Sequence, residues 1–272
     1  MAEKVTKRTH TYHAVAQSLG GSLILPVNQS IPSQANASLH GGGGISHDVQ
    51  GAFHHEKIVS AGGTYSHVVG CESKKSGGWA TLATSVVEDL NIQEIVTADR
   101  VVARLSIEHP AVGYTPKVTL VGSNFINLRI AGFPVQAVLN SSLLNPADDY
   151  PKTTWLENPK FLDAARQQHR RRAKGSPHTK ELEERYGWIG SKEGIDQRGY
   201  VVCSLVDSIV GDFPGTASGN MVDIPEVGKF FFGEFTVDRN SFRLTMIRAE
   251  LGCPIHGTMM MADAVGTGTS YP

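Results

Sequence analysis

The sequence predicts a mainly β protein, either a sandwich or a solenoid-like array of short strands, with a small helical insertion. Three observations favour this fold class. Gly accounts for 29 of the 272 residues, above the usual share of about 7%, and its clusters separate short apolar runs. These runs recur at intervals of roughly 8–12 residues, as in all-β domains. The stretch 94–107 alternates with period two, which is typical of a strand.

The length predicts one domain over residues 1–272, because all-β domains of this size are ordinary. The segment 1–70 is rich in Gly and His and predicts short strands and turns. Residues 145–198 predict a polar helical insertion, since they hold too few apolar side chains for a core of their own. Within it, Asn158 is the predicted cap of a helix over 159–174.

The alternation within 94–107 also predicts which side chains face the core. Arg100 and Arg104 belong to the solvent-facing set. The opposite set is expected to face mostly inward: Ile95, Thr97, Asp99, Val101, Ala103, Leu105 and Ile107. A helix over 94–105 is the competing interpretation, and the β-branched content favours the strand.

Charge and cysteine content exclude several classes of protein. The 25 Lys and Arg against 26 Asp and Glu leave a net charge of −1, so a nucleic-acid partner is disfavoured. No apolar run approaches the roughly 20 residues of a membrane-spanning helix, and we expect no membrane partner. The odd, sparse set Cys71, Cys203 and Cys253 predicts buried, reduced thiols. The N-terminal segment lacks a signal-peptide apolar region, so the expected location is cytoplasmic, with non-classical export or a surface location as alternatives.

Histidines are the most unusual feature, because seven of the eleven fall within the first 67 residues. His54, His55 and Glu56 form one candidate metal site, and His10 with His13 forms another. Imidazole binds divalent transition metals, and residues i and i+2 share one face of a strand. No spacing matches a known zinc motif, so hydrogen-bonded surface histidines are the alternative. The cofactor expectation is none, with a divalent transition metal as the alternative.

One basic cluster stands out on the predicted helix: Arg166, Arg170, Arg171 and Arg172. Arg166 and Arg170 are i,i+4 neighbours. Because an acidic run follows at 181–184, a salt-bridged face is the first interpretation, and a polyanion site is the second.

A dense aromatic run lies near the C-terminal end of the chain: Phe230, Phe231, Phe232 and Phe235. Strand alternation directs Phe231 to the face opposite Phe230 and Phe232. If the same chain leaves Phe231 uncovered, the run marks an interface. Core packing on both faces is the alternative.

The Gly run at 41–44 after His40 resembles the oxyanion loop of esterases. That loop works beside a Gly-x-Ser-x-Gly nucleophile elbow, and the chain contains no such sequence. We therefore expect a tight turn here. No other catalytic signature occurs, so a non-enzymatic role is favoured.

The segments Ala83–Val87, Leu90–Ile92 and Ile95–Val101 resemble a stretch of bacterial choice-of-anchor P proteins. The resemblance covers residues 78–139 and rests on an Ala-Thr-Ser segment followed by a Val-Thr-Ala-Asp strand. It implies a β-rich, surface-type domain with no established enzymatic role.

Together these patterns favour a structural or interaction protein whose partner is itself, a homo-oligomer formed through strand edges and apolar patches. Near-neutral charge favours such association. Two alternatives stay open. One is a metal-binding protein or enzyme that uses the N-terminal histidines. The other is a carbohydrate-binding β-sandwich with Trp79, Trp155 or Trp188 as sugar platforms.

Overall fold

The computed structural model describes residues 9–26, 28–74, 77–111, 115–140, 142–144, 154–252 and 254–271. Eight strands come first in the chain: β1 (Thr9–Leu25), β2 (Gln29–Gly41), β3 (Gly44–Gln50), β4 (Phe53–His55), β5 (Val59–Ala61), β6 (Gly63–Glu72), β7 (Trp79–Ile92) and β8 (Val96–His109). Five short strands follow: β9 (Lys117–Thr119), β10 (Asn124–Ile126), β11 (Arg129–Ile130), β12 (Phe133–Pro134) and β13 (Gln136–Leu139).

The helical insertion contains α1 (Pro159–Ala173), α2 (Thr179–Tyr186) and α3 (Lys192–Arg198), with 3-10 turns at Trp155–Glu157 and Gly187–Gly190. Seven strands complete the described chain: β14 (Tyr200–Ser204), β15 (Val206–Val210), β16 (Thr216–Ser218), β17 (Met221–Ile224), β18 (Gly228–Asp238), β19 (Ser241–Leu251) and β20 (His256–Tyr271). No helix in the described ranges is both long and apolar enough to span a membrane.

Two antiparallel sheets pack face to face. The first has the order β16-β17-β18-β19-β20-β1-β2, with β14 also paired to β18. The second is built on the long strands β3, β6, β7 and β8, extended by β4, β5 and β9–β12, and a separate ribbon pairs β13 with β15. The prediction of a mainly β sandwich with a helical insertion is confirmed.

The core lies between the two sheets and continues under the helices. Leu19 of β1, Val87 of β7 and Leu105 of β8 are all buried there. The layers approach closely at Gly266 of β20, where an added Cβ would lie 2.4 Å from Cδ1 of Ile107 on β8. Burying a large aliphatic side chain contributes roughly 1.5–3 kcal/mol, so this shared core holds the layers together.

The prediction of short strands in residues 1–70 is right for β4 and β5, which have three residues each, and wrong for β1 and β2, which have 17 and 13. Gly20 and Gly21 do not end a strand but lie inside β1. At Gly21 an added Cβ would meet the backbone of Thr258 and Met259 on β20. Glycine here permits close approach of a neighbouring strand and does not end the element.

The predicted alternation of 94–107 is right for one half of β8. Val101 and Leu105 are buried, and both Arg100 and Arg104 are exposed. In the first half the inward side chains are Val96 and Ala98, so the expected inward set is wrong there. The change of face follows from Asp99 and Arg100, two successive exposed residues that interrupt the alternation.

The helix predicted over 159–174 is observed as α1. Asn158 Oδ1 accepts hydrogen bonds from the backbone N–H groups of Lys160 (3.0 Å) and Phe161 (3.3 Å), which confirms the cap. Residues 145–150 and 151–153 lie outside the described residues. Phe161 and Leu182 are buried in the main core, so the insertion is anchored by the β framework.

Candidate interaction surface

Strand β3 forms an edge of the second sheet. Among the described strands it pairs with β6 alone, with His47 opposite His67. Its outward face presents Ile45, His47 and Val49, and the two apolar side chains are 70% and 64% exposed. An exposed apolar edge strand is a template for pairing with another chain.

The opposite face of β3 is polar and turned towards β2. Asp48 Oδ2 accepts the backbone N–H of Asn36 at 2.8 Å and a hydrogen bond from Gln50 Nε2 at 3.2 Å. Because Ser46, Asp48 and Gln50 are only half-buried, this strand adds little to the apolar core. The two aliphatic residues of β3, Ile45 and Val49, lie on its solvent-exposed face.

A tight turn joins β2 to β3, as expected for the Gly run. Gly43 and Gly44 have φ angles of 77° and 114°, which favour glycine. An added Cβ at Gly43 would lie 2.9 Å from the ring of Tyr12. The turn therefore packs tightly against β1 and fixes where β3 begins.

The edge of β14 is covered by the helical insertion. Gln168 of α1 donates from Nε2 to the carbonyl oxygen of Ser204, and its Oε1 accepts the N–H of Ser204, both at 2.8 Å. His169 Nε2 donates to the carbonyl oxygen of Val202 at 2.7 Å. These side chains occupy the positions of a neighbouring strand, so this edge is closed.

The edge of β2 is interrupted in three ways. Pro32 lacks an N–H group, Ala35 has a φ of 41°, and Asn36 already donates to Asp48. By contrast, β3 contains no proline and no positive-φ residue after Gly44. Of these three edges, β3 is the one best suited to pairing.

His10 and His13 lie on opposite faces of β1. His13 is exposed, whereas His10 stacks on Trp79 at 5.1 Å and lies 4.7 Å from the ring of His109. Burial, with a contribution from His13, lowers the pKa of His10 to about 4. The proposed His10–His13 metal pair is wrong, because strand alternation separates the two side chains.

His54, His55 and Glu56 share no strand face, because Glu56 has a φ of 50° and lies in the turn after β4. Gln29 Nε2 donates to His55 Nε2 (2.9 Å) and to Glu56 Oε1 (3.3 Å). In the described part of the chain, no three His, Cys, Asp or Glu side chains are grouped to hold a metal ion. The expected ligand set is therefore not brought together.

The phenylalanine run belongs to the core, so its assignment to an interface is wrong. Phe230, Phe231, Phe232 and Phe235 are all 0% exposed. Phe231 does face away from its neighbours, but Arg248 and Arg185 cover its ring, with centroid distances of 4.0 Å and 5.3 Å. Sequence alternation correctly placed Phe231 on the strand face opposite Phe230 and Phe232. It could not show that arginine side chains from elsewhere in the chain cover that face.

The predicted arginine cluster is divided among different environments. Arg166 pairs with Asp163 at 3.2 Å, Arg171 pairs with Asp207 at 2.9 Å, and Arg170 is exposed. Arg172 is buried over the ring of Tyr186, and burial lowers the pKa of its guanidinium. Surface ion pairs are present, but the four side chains do not form one face.

The tryptophans and cysteines also differ in their surroundings. Trp155 is buried and donates to the carbonyl oxygen of Pro116 at 3.0 Å, while Trp79 and Trp188 are half-buried. Cys203 is buried, which raises the pKa of its thiol to about 12. Cys71 is exposed, so the expectation of buried thiols is wrong for it. Cys253 lies outside the described residues.

Sequence reasoning missed Ile45 and Val49, the two residues that define the candidate surface. The available signal was the sequence Ile45-Ser-His-Asp-Val49, which alternates between apolar or aromatic and polar residues with period two. This alternation marks an exposed apolar face of an edge strand only if β3 lies at the edge of its sheet. Whether it does depends on strand pairing between residues that are far apart in the sequence.

A family model matches residues 10–238 of this chain and is described as a domain of unknown function, DUF8256. The chain belongs to the DUF8256 family. Neither the curated proteins nor the solved structures contain a match. The matched region of this DUF8256 protein runs from β1 to the end of β18 and includes the candidate surface on β3. Its resemblance to choice-of-anchor P proteins stays a prediction.

Proposed function

We propose that this DUF8256 protein is a non-enzymatic structural protein that self-associates by pairing β3 with β3 of a second copy. The observation that carries the proposal is the outward face of this edge strand, where Ile45 and Val49 flank His47 and are 70% and 64% exposed. Apolar side chains on an open edge favour association.

The order of these residues suits a two-fold arrangement. In an antiparallel pair centred on His47, Ile45 of one copy lies opposite Val49 of the other, on both sides of the axis. Such an interface uses the same patch on both subunits and closes on itself. Each apolar cross-strand pair contributes roughly 0.2–1 kcal/mol, in addition to new backbone hydrogen bonds.

Long-range charge does not oppose the association. The net charge of −1 gives two copies little mutual repulsion.

Sedimentation velocity from about 1 to 100 μM tests the proposal, a range that covers moderate affinities. We expect a dimer that dissociates on dilution and a monomer for the double variant I45K/V49K. The matched control is V121K, since Val121 is an 81% exposed aliphatic residue in a turn outside β3. A wild-type protein that stays monomeric at every concentration would contradict the proposal.

A cross-linking experiment tests the geometry. In a background with Cys71→Ser and Cys253→Ser, His47→Cys should form an intermolecular disulfide, because Cα atoms of opposite residues in an antiparallel pair are about 4.5–5.5 Å apart. His67→Cys, one strand inside the sheet, should not form one. Equal cross-linking of both variants would exclude pairing centred on His47.

A further inference from the structure

A groove runs along the outer side of β14, β18 and β19, beside the helical insertion. It has two lobes of about 340 Å³ and 390 Å³, and Tyr200 and Thr236 line both of them. The lobes therefore adjoin each other at these two residues. Their volumes fall within the roughly 300–1,000 Å³ of small-molecule sites.

Five arginines line the groove, against two carboxylates, Glu234 and Asp238. The arginines are Arg185, Arg198, Arg239, Arg243 and Arg248. Three of them are already engaged: Arg185 pairs with Glu250 at 2.7 Å, Arg248 donates from Nη2 to Glu234 at 2.9 Å, and Arg243 pairs with Asp263. These ion pairs form a rigid wall at one end.

Two arginines of the groove, Arg198 and Arg239, keep their donors for a ligand. Arg198 and Arg239 are exposed and make no ion pair with any described residue, although Arg198 lies over the ring of Trp188 at 5.4 Å. Arg243 pairs with Asp263 through Nε at 2.9 Å. It lies opposite Thr236 in the β18–β19 register, at the junction of the lobes. Positive charge that is free to bind is thus concentrated at one end.

Aromatic and hydroxyl groups line the middle and the far end. Tyr200 packs edge-on against Trp188 at 5.2 Å. Tyr186 donates from its hydroxyl to Glu234 at 3.1 Å, and Thr245 donates to Asp263 at 2.6 Å. Tyr186 and Thr245 are buried and their hydroxyls are engaged, whereas Tyr200 is half-buried, so the Tyr200 ring is the aromatic surface left for a ligand. A half-buried ring with a polar tip suits a hydroxylated ring better than a purely apolar ligand.

We infer that this groove binds an acidic saccharide, with the oxyanion at Arg198 and Arg239 and the sugar ring against Tyr200 and Thr236, which line both lobes. Guanidinium groups recognise planar carboxylates and phosphates through paired donors. A uronic acid and a sugar phosphate share this chemistry. The site lies on a different sheet from β3, so it does not depend on the proposed self-association.

Isothermal titration calorimetry with a galacturonate trisaccharide and with glucose 6-phosphate tests the inference. We expect one of these probes to bind, whereas the neutral controls maltotriose and glucose bind at least about tenfold more weakly. Binding should weaken with added salt, because exposed charges are screened over about 8 Å at physiological ionic strength. The probe that binds identifies the source of the oxyanion.

Variants assign the binding to this groove. The double variant R198Q/R239Q should lower the affinity about tenfold or more, since it removes the two unpaired cations. R104Q is the matched control, because Arg104 is an exposed arginine on the other sheet. The inference is overturned if neither acidic probe binds, if neutral sugars bind equally well, or if R104Q weakens binding as much as R198Q/R239Q.

Discussion

His10, His109 and His169 are packed among aromatic rings and backbone. His10 and His109 have ring nitrogens with no hydrogen-bond partner in the described structure, whereas His169 donates to Val202. Burial is the main cause that lowers the pKa of each to about 4. Their neutral form is therefore the one that fits the fold.

This burial predicts a loss of stability in acid. In the unfolded chain these histidines titrate near pH 6.5, so protons bind more readily to the unfolded state as the pH falls from 6.5 towards 4. The stabilisation is complete above pH 6.5, and His169 alone should lose about 2 kcal/mol of it by pH 5. Urea unfolding at pH 7.5 and pH 5 measures the difference.

The control for this prediction is the exposed histidine His54. H169Q should reduce the loss of stability between the two pH values, and H54Q should leave it unchanged. A free energy of unfolding that is the same at pH 7.5 and pH 5 would show that the buried histidines accept protons without opening the structure.

Helix α1 acts as a substitute for a strand along β14. Through Gln168 it satisfies both backbone groups of Ser204 in a buried position. Q168A would leave that N–H and that carbonyl oxygen without partners, which costs roughly 1–3 kcal/mol for each buried group. We expect a total loss of about 2–4 kcal/mol in denaturant unfolding.

The neighbouring Gln167 provides the matched control, because it occupies the same helix and is exposed. Q167A should change the free energy of unfolding by less than about 0.5 kcal/mol. Equal stability of the two alanine variants would mean that water replaces the hydrogen bonds of Gln168 to Ser204. In that case α1 would not be needed to satisfy the edge of β14.

The elements that could be predicted are those specified by nearby residues. Asn158 and the residues after it define the start of α1 locally, and the alternation in the second half of β8 follows from its own side chains. The length of β1 was missed because Gly20 and Gly21 look like a break until β20 is placed beside them. The seven-residue α3 has too few turns to show periodicity.

The candidate surface could be predicted only in outline. Strand edges were expected to mediate association, but which strand is free depends on α1 closing β14 and on Asp48 occupying β2. The phenylalanine run was an interface candidate on the condition that Phe231 is uncovered, and the arginines that cover its ring come from separate segments, at 185 and 248. Contacts between residues far apart in the sequence therefore determine both which strand edge is free and whether Phe231 is covered.

The two sheets approach tightly at Gly266 of β20, where Ile107 of β8 occupies the space that a methyl group would need. G266A would bring a Cβ within 2.4 Å of Cδ1 of Ile107, a side chain that is itself buried. We expect a loss of about 1–3 kcal/mol from overpacking. Thermal or urea unfolding of the variant measures it.

A compensating change makes this prediction specific to the interface between the layers. I107V removes Cδ1 and alone should cost about 0.5–1.5 kcal/mol. The double variant G266A/I107V should be more stable than the sum of the single effects predicts, because the added methyl then occupies the vacated space. Simple additivity would mean that the strain at Gly266 is relieved elsewhere.

The position of β1 in the first sheet has a consequence for biosynthesis. β1 pairs on one side with β2, a few residues away, and on the other with β20, where the Oγ1 of Thr267 donates to the carbonyl oxygen of His13 across 254 positions. A ribosome adds roughly 5–20 residues per second. The edge of β1 that pairs with β20 therefore stays unpaired for on the order of ten seconds or more during synthesis. Contacts so distant in sequence slow folding. During that interval the nascent chain carries a long strand with one unpaired edge, and neighbouring nascent chains on one messenger RNA are placed where such edges can pair with each other.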